Sequence, residues 1–182
     1  ALYHDIGKLE NAVFFTENQK GISPHSHLTP ERSAEVIIEH VTNGLSLADK
    51  NNLPAQIKRF IMTHHGNGKT KYFYIMWKNL HHGEEPDESL LSYPGPNPSS
   101  KEEAILMMAD AVEAASRSLS EYTEESISTL VDKIIDGQMQ EGYFSECDIT
   151  FKDIAAAKEV FKEKLKIVYH TRISYPELNN KQ

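Results

Sequence analysis

One cysteine, Cys147, stands among the 182 residues. No disulfide can therefore form within the chain, and the cysteine usage fits a reducing compartment. Long apolar runs are missing too. The longest are six residues, Tyr72 to Trp77 and Ala104 to Ala109, whereas a membrane-spanning helix needs roughly 20. No helical span is expected within these residues, and no signal-peptide pattern is present. Glycine (9) and proline (8) are too scarce for a disordered or fibrous chain. A basic excess is absent: 19 Lys and Arg face 27 Asp and Glu, a formal charge of −8. That sign excludes a general binder of nucleic-acid polymers, because phosphate contacts need a basic face. An anionic ligand then requires cations gathered locally. What the sequence does have is 9 histidines, which calls for a metal search. The length predicts a single domain, 1–182, burying roughly 70% of its unfolded surface. The chain opens at Ala1 without a methionine and reaches its first charged pair, His4-Asp5, almost at once. It reads as a fragment of a longer protein.

Apolar spacing of three and four dominates over alternation, so the chain reads as helix after helix. Thr29-Pro30-Glu31 is a helix start, an N-cap followed by proline at the first helical position. Ala34, Ile37, Ile38, Val41 and Leu45 follow at helical spacing. A second helix begins near Leu53-Pro54 and runs to His64-His65, where Gly66 and Gly68 stop it. Tyr72, Phe73, Met76, Trp77 and Leu80 form one face of a third helix, with Tyr74 on the other. Asn79 to Ser100 holds four of the eight prolines and reads as a long irregular connection. Ser99-Ser100-Lys101-Glu102-Glu103 carries two overlapping capping boxes. The helix after it should bury Ile105, Met108, Ala109, Val112, Ala115 and Leu119, with Leu106, Asp110, Glu113 and Arg117 on a second stripe. Thr123 caps a fifth helix. Thr150 to Asp153 opens a sixth, with Ile154, Phe161, Leu165 and Val168 inward. The expected fold class is all-α, a small helical bundle.

The candidate chemistry lies in His4, Asp5, His40, His64, His65 and Asp110. Imidazole nitrogen with carboxylate oxygen suits divalent Fe, Mn, Co or Zn. Neighbouring residues on a helix point about 100° apart, so His64 and His65 are expected to serve two ions, or an ion and a substrate group. Asp5 has two oxygens and can bridge two metals, which together form a phosphoryl-transfer clamp. Gly7 leaves room for close approach of another group.

The ordered set resembles the HD superfamily of metal-dependent phosphohydrolases, whose binuclear pattern H…HD…H…HH…D reads here as His4-Asp5, His40, His64-His65 and Asp110. Further likeness lies in Pro30-x-x-Ser33-Ala34, Tyr93-Pro94-Gly95-Pro96, Ser100-Lys101-Glu102, Glu113 to Leu119 and Glu146-Cys147-Asp148. These resemble the cytoplasmic HD domain of the seven-transmembrane HD phosphodiesterases of the PgpH type, over Leu2 to Pro176. The resemblance implies an HD-domain helical bundle and hydrolysis of cyclic di-AMP to linear pApA with two Fe or Mn ions. A water activated between the metals would attack phosphorus. It further implies a membrane-embedded region upstream, a bacterial cell-membrane setting, and a first metal histidine upstream of the pair. The family's Asn-Pro-His-Asp loop reads Ser23-Pro24-His25-Ser26 here. Lys8 is the expected contact to a substrate phosphate, catalytic in stabilising the charge that builds there. Arg117 is a second phosphate candidate, or a partner of Glu113 or Glu121. Asn18 and Tyr74 are candidates for contact with a base. His25, His27, His81 and His82 are read mainly as loop or capping histidines, and Cys147 as a small buried hydrophobe. A cyclic di-GMP hydrolase is disfavoured because Gly66 to Lys71 lacks the Gly-Tyr-Pro element expected after the histidine pair. A nucleoside monophosphate phosphatase and a non-catalytic nucleotide sensor are the rival functions for the same residues.

Overall fold

Thr29 caps the first long helix as expected, its hydroxyl accepting from the Arg32 amide at 3.2 Å. Pro30 occupies the first turn, where its missing N–H has no partner to lose. A computed structural model describes residues 1–19 and 21–170. The last part of the family resemblance, 171–176, lies outside the described residues. The helices are α1 (Pro30–Lys50), α2 (Ala55–Thr63), α3 (Lys71–Leu80), α4 (Lys101–Ser116), α5 (Glu124–Gln140) and α6 (Phe151–His170), preceded by a kinked 3-10 segment, Ile6–Phe14. The all-α class is borne out: among the described residues the one extended pairing is a single bridge, Lys69 with Ser92.

The chain falls into two compact units. The first is Ala1–Met107 with Gly142–Asp148; the second is Met108–Glu141 with the chain from Ile149. In the first unit α1 is the hub, packed against the 3-10 segment, α2 and α3. Its core cluster joins Ala34 of α1, Phe73 and Trp77 of α3, and Leu91. Arg59 of α2 grips Glu103 through two hydrogen bonds of 3.0 Å and reaches Ser99 at 2.8 Å. Glu103 also accepts from the Ser99 amide, and the Ser100 hydroxyl accepts from the Glu103 amide, so of the two expected capping boxes it is Ser100 with Glu103 that caps α4. In the second unit α5 lies against α6, with Ile127, Val131, Ile135, Ile154 and Leu165 buried. Thr123 caps α5 through the Ser126 amide, and Thr150 and Asp153 cap α6 reciprocally.

Three helix faces differ from expectation. On α3, Tyr72 is 71% exposed and Leu80 is also out, while Tyr74 packs partly against the core cluster. The buried arc spans Phe73 and Trp77 and extends toward Tyr74, leaving Tyr72 on the opposite flank; Leu80 is the last helical residue. On α4, Leu106 is buried and Ile105 is 40% exposed. A run of six apolar residues has no polar member to set the phase of its periodicity. On α6, Val168 is exposed.

Candidate metal centre

Asp5 ends the short turn that opens the 3-10 segment, two residues before Gly7. Gly7 sits directly on α1. A Cβ there would lie 1.9 Å from the His40 carbonyl oxygen and 2.4 Å from the Gly44 amide nitrogen. Any side chain would lift the segment away, so Gly7 sets the closeness of Asp5 to the histidine of α1. Gly44 has the same role on the other side, since a Cβ on it would press on Ile61 of α2 at 2.9 Å.

The approach brings the Asp5 carboxylate among three imidazoles. Its Oδ1 lies 3.5 Å from His40 Nε2 and 3.6 Å from His64 Nε2, and its Oδ2 lies 3.4 Å from His4 Nε2. His40 and His64 are almost wholly buried, at 2% and 1%. Each points Nδ1 at a carbonyl three residues back, His40 at Ile37 (2.6 Å) and His64 at Ile61 (2.8 Å). A carbonyl only accepts, so Nδ1 carries the proton and Nε2 presents a lone pair. The two Nε2 atoms then face each other at 3.0 Å. His65 completes the group. Asp5, His40, His64 and His65 each offer a ligand atom, all within 4.8 Å of one another.

The expected 100° divergence of His64 and His65 does not hold. α2 ends at Thr63, so the pair lies in a turn rather than on a helix. Its rings come to 4.1 Å between centroids, and both join the same cluster.

The electrostatics favour unprotonated ligands. Burial works against ionisation of Asp5, but the Lys8 ammonium, bonded to it at 2.8 Å, outweighs it and holds the carboxyl well below its usual range. Burial, then the neighbouring His64, pushes His40 down to about 4. Burial, with His64 and His40, pushes His65 down as well. Asp5 Oδ1 is buried and has no hydrogen-bond partner. A lone oxygen between two lone-pair nitrogens, with His40 and His65 resisting protonation, is a donor set that fits a divalent cation.

The model of the HD domain family matches residues 1–115. The chain belongs to the HD domain family. Membership implies dependence on divalent metal, and the Asp5 cluster could supply its ligands. The chain is 41% identical over its whole length to the cyclic-di-AMP phosphodiesterase PgpH of Bacillus subtilis, of which it covers 25%. It is 40% identical over 96% of its length to that of Listeria monocytogenes, covering 24%. The chain thus spans about a quarter of the curated relatives it matches. Two solved structures of the L. monocytogenes PgpH HD domain share 39% identity with it. One superposes with a TM-score of 0.85, covering 92% of this chain and 78% of that one. The other, in complex with cyclic-di-AMP, gives 0.87, with 95% and 79% covered.

The remaining candidates take these places in the HD domain. Lys8 is half-buried and bonded to Asp5 at 2.8 Å and Glu17 at 2.9 Å, with its ammonium 5.1 Å from the Phe15 ring centroid. Its burial disfavours the charge, but Asp5 and Glu17 outweigh that and hold it protonated above its ordinary range. Asp110 is half-buried on α4, in the second unit. Arg117, also in that unit, pairs with Glu113 at 2.8 and 3.0 Å, the simpler of its two expected roles. Asn18 is exposed, next to Glu17. Tyr74 carries the Lys69 ammonium 4.8 Å from its ring centroid. His25 is wedged between Phe14 and Phe73 and bonds to the Phe14 carbonyl. His81 stacks on Trp77. His27 and His82 are exposed, and Cys147 is half-buried. Two neighbours of the cluster were not visible in the sequence. Glu17, the partner of Lys8, has no signal beyond its charge. Tyr93 stacks on His65 with centroids 4.2 Å apart and planes at 19°; its motif stands out, but not what the ring touches.

Proposed function

We propose that this chain is the catalytic domain of a metal-dependent phosphodiesterase that hydrolyses cyclic di-AMP to linear pApA. The observation that carries the reading is the orphaned Asp5 Oδ1 between the Nε2 atoms of His40 and His64. The substrate comes from the relatives named cyclic-di-AMP phosphodiesterases and from the similar domain solved with that dinucleotide. The same likeness supports a cytoplasmic domain of a longer, membrane-anchored bacterial protein. Among the described residues no helix is long and apolar enough to cross a membrane.

His4, Asp5, His40, His64, His65 and Asp110 are the proposed ligands of two divalent ions, Fe or Mn. When bound, such ions lower the pKa of water and draw off charge building on phosphorus. The residues divide the rest of the work. Asp5 stays ionised, and His40 and His65 stay neutral, so the ligand set keeps its lone pairs near neutral pH. Lys8 stays protonated and is the proposed contact to a non-bridging phosphate oxygen, which would take the place of Glu17 beside it. Asn18, next to Glu17, is the proposed contact to a base. In the net reaction water adds across one P–O3′ bond; the 3′ oxygen leaves with a proton and a 5′ phosphate remains.

The test is product analysis by chromatography, with cyclic di-AMP and cyclic di-GMP as substrates and Mn²⁺ present. Linear pApA should form, and Asp5→Ala should lower the rate by on the order of 10³ or more, since it removes the one carboxylate at the centre of the ligand set. Intact dinucleotides in the presence of bound Mn²⁺ would refute the substrate assignment.

A further inference from the structure

His40 and His64 are each oriented by a hydrogen bond from Nδ1 to a helix carbonyl. His65 stands in the turn beyond α2, next to Gly66 at φ +53°. A different kind of contact lies on its ring, the face of Tyr93, with centroids 4.2 Å apart and planes at 19°. The same tyrosine meets His40 edge-on at 6.1 Å.

The backbone around Tyr93 is tied to the turn that carries His65. The Tyr93 amide donates to the Gly68 carbonyl at 2.8 Å. Lys69 and Ser92 form an antiparallel bridge. The amide and hydroxyl of Thr70 both donate to the Leu91 carbonyl, at 2.7 and 2.8 Å. Farther along, Asn97 Oδ1 accepts from the Asn67 amide at 3.0 Å. That oxygen fits only because Gly66 has no side chain, since a Cβ would meet it at 2.4 Å. Residues 66–70 and 91–97 thus form a clip that begins directly after His65 and carries Tyr93.

We propose that Tyr93 is a positioning residue for the His65 imidazole, held by this clip so that its ring fixes the plane in which His65 presents its nitrogens. A ring stacked on the face of an imidazole resists rotation about the Cβ–Cγ bond. It leaves the in-plane lone pair open, because ligation occurs at the ring edge and stacking at its face. Tyr93-Pro94-Gly95-Pro96 thereby gains a role that its composition does not show. The inference rests on the reading of His65 as a metal ligand.

The experiment is Mn²⁺ titration by calorimetry on the protein and its variants, each checked for a cooperative melt. Tyr93→Phe keeps the stacked face and should bind within about twofold of the parent. Tyr93→Leu should weaken binding by about tenfold, as loss of an outer-shell partner does; Tyr93→Met serves the same purpose if the leucine variant does not fold. Trp77→Phe loosens the core cluster on α3 but leaves the clip and the Tyr93 ring unchanged, and should leave affinity unchanged. His65→Ala should weaken binding more than any of them. Parent-like affinity in both Tyr93→Leu and Tyr93→Met, with loss in His65→Ala, overturns the positioning role and leaves the metal centre standing. An equal loss in Trp77→Phe overturns it too, since the effect is then general loosening. Parent-like affinity in His65→Ala removes the ligand reading on which the inference stands.

Discussion

In the first unit the ionisable groups at the centre are inside: His40 and His64 are buried, and the Asp5 oxygen between them has no hydrogen-bond partner. In the second unit the ion pairs lie along the rim of a mainly apolar interior, whose buried polar residues include Ser116 and Gln138. Lys158 of α6 pairs with Asp132 and Asp136 of α5, and Lys162 with Asp132 and Glu159. Lys166 pairs with Glu124. Buried polar groups without matched partners oppose folding, so a fold keeps them where they do something else. Rim ion pairs give little stability and ask little of the chain. The contrast sets apart the first unit, which gathers buried ionisable groups at the Asp5 cluster proposed to hold metal. The second is held mainly by apolar burial.

The largest expected effect tests the second half of that contrast. Ile135 is fully buried on α5, and Ile135→Ala should cost about 2–5 kcal/mol in a urea melt, from lost transfer energy plus a cavity. Mn²⁺ affinity of the folded protein should stay within about twofold, since none of the proposed ligands lies on α5 or α6. A large change in affinity would show that the packing of α5 is not independent of the ligands.

The next effect is a pH dependence lodged in the first unit. His40 is held at about 4 in the fold against an ordinary 6.5. Burial, His64 and Lys8 disfavour its charge, more than the Ile37 carbonyl and Asp5 favour it. The unfolded chain therefore takes up the proton first. The His40 contribution to the stability of the chelator-treated protein should be level above pH 6.5, fall as pH drops from 6.5 to 4, and level again below. The total for this residue is up to about 3 kcal/mol. Denaturant melts across that range check it, with His40→Gln as the flatter control. A parent curve as flat as the variant's would mean that His40 is not kept neutral by the fold.

Gly7→Ala comes third. Its Cβ would meet backbone rather than a flexible side chain, so the stretch of chain bearing Asp5 must move. Overpacking of this kind typically costs about 1–3 kcal/mol. The distinguishing sign is a joint loss: stability and Mn²⁺ affinity should fall together, unlike the result for Ile135→Ala. A stable variant with parent affinity would show that Asp5 is placed by something other than this contact.

Much of the first unit was legible because its signals are local or ordered. Thr29-Pro30 and Ser99-Ser100-Glu103 specify helix starts through hydrogen bonds reaching only three or four residues, and the histidine–aspartate order points to the cluster without any knowledge of distance. The geometry of His64-His65 was not legible, because it depends on where α2 stops. Periodicity fixes helix faces better than helix ends. Ile105 and Leu106 exchanged places for a related reason, a uniform apolar run having no phase. Glu17 and Tyr93 depend on chain segments brought together by the turn and the bridge, and neither sits at a spacing that reveals its partner.

The smallest effect belongs to the rim of the second unit, and the weakness is itself the prediction. Lys158 has two carboxylates within reach, at 2.6 and 3.2 Å, and its proton is held more tightly than usual: Asp136 and Asp132 outweigh the burial that opposes the charge. Geometry alone would suggest an important contact. Yet Asp132 and Asp136 are themselves substantially exposed, so water and salt screen the attraction, and ordering a long side chain offsets part of what remains. Lys158→Met keeps most of the aliphatic stem and removes only the charge. It should change stability by no more than about 1 kcal/mol, and the difference should shrink further in roughly 0.5 M NaCl while Mn²⁺ affinity stays put. A loss rivalling that of Ile135→Ala, undiminished by salt, would mean that α5 and α6 are joined by charge rather than by their apolar faces, and the contrast between the two units would fail at its second half.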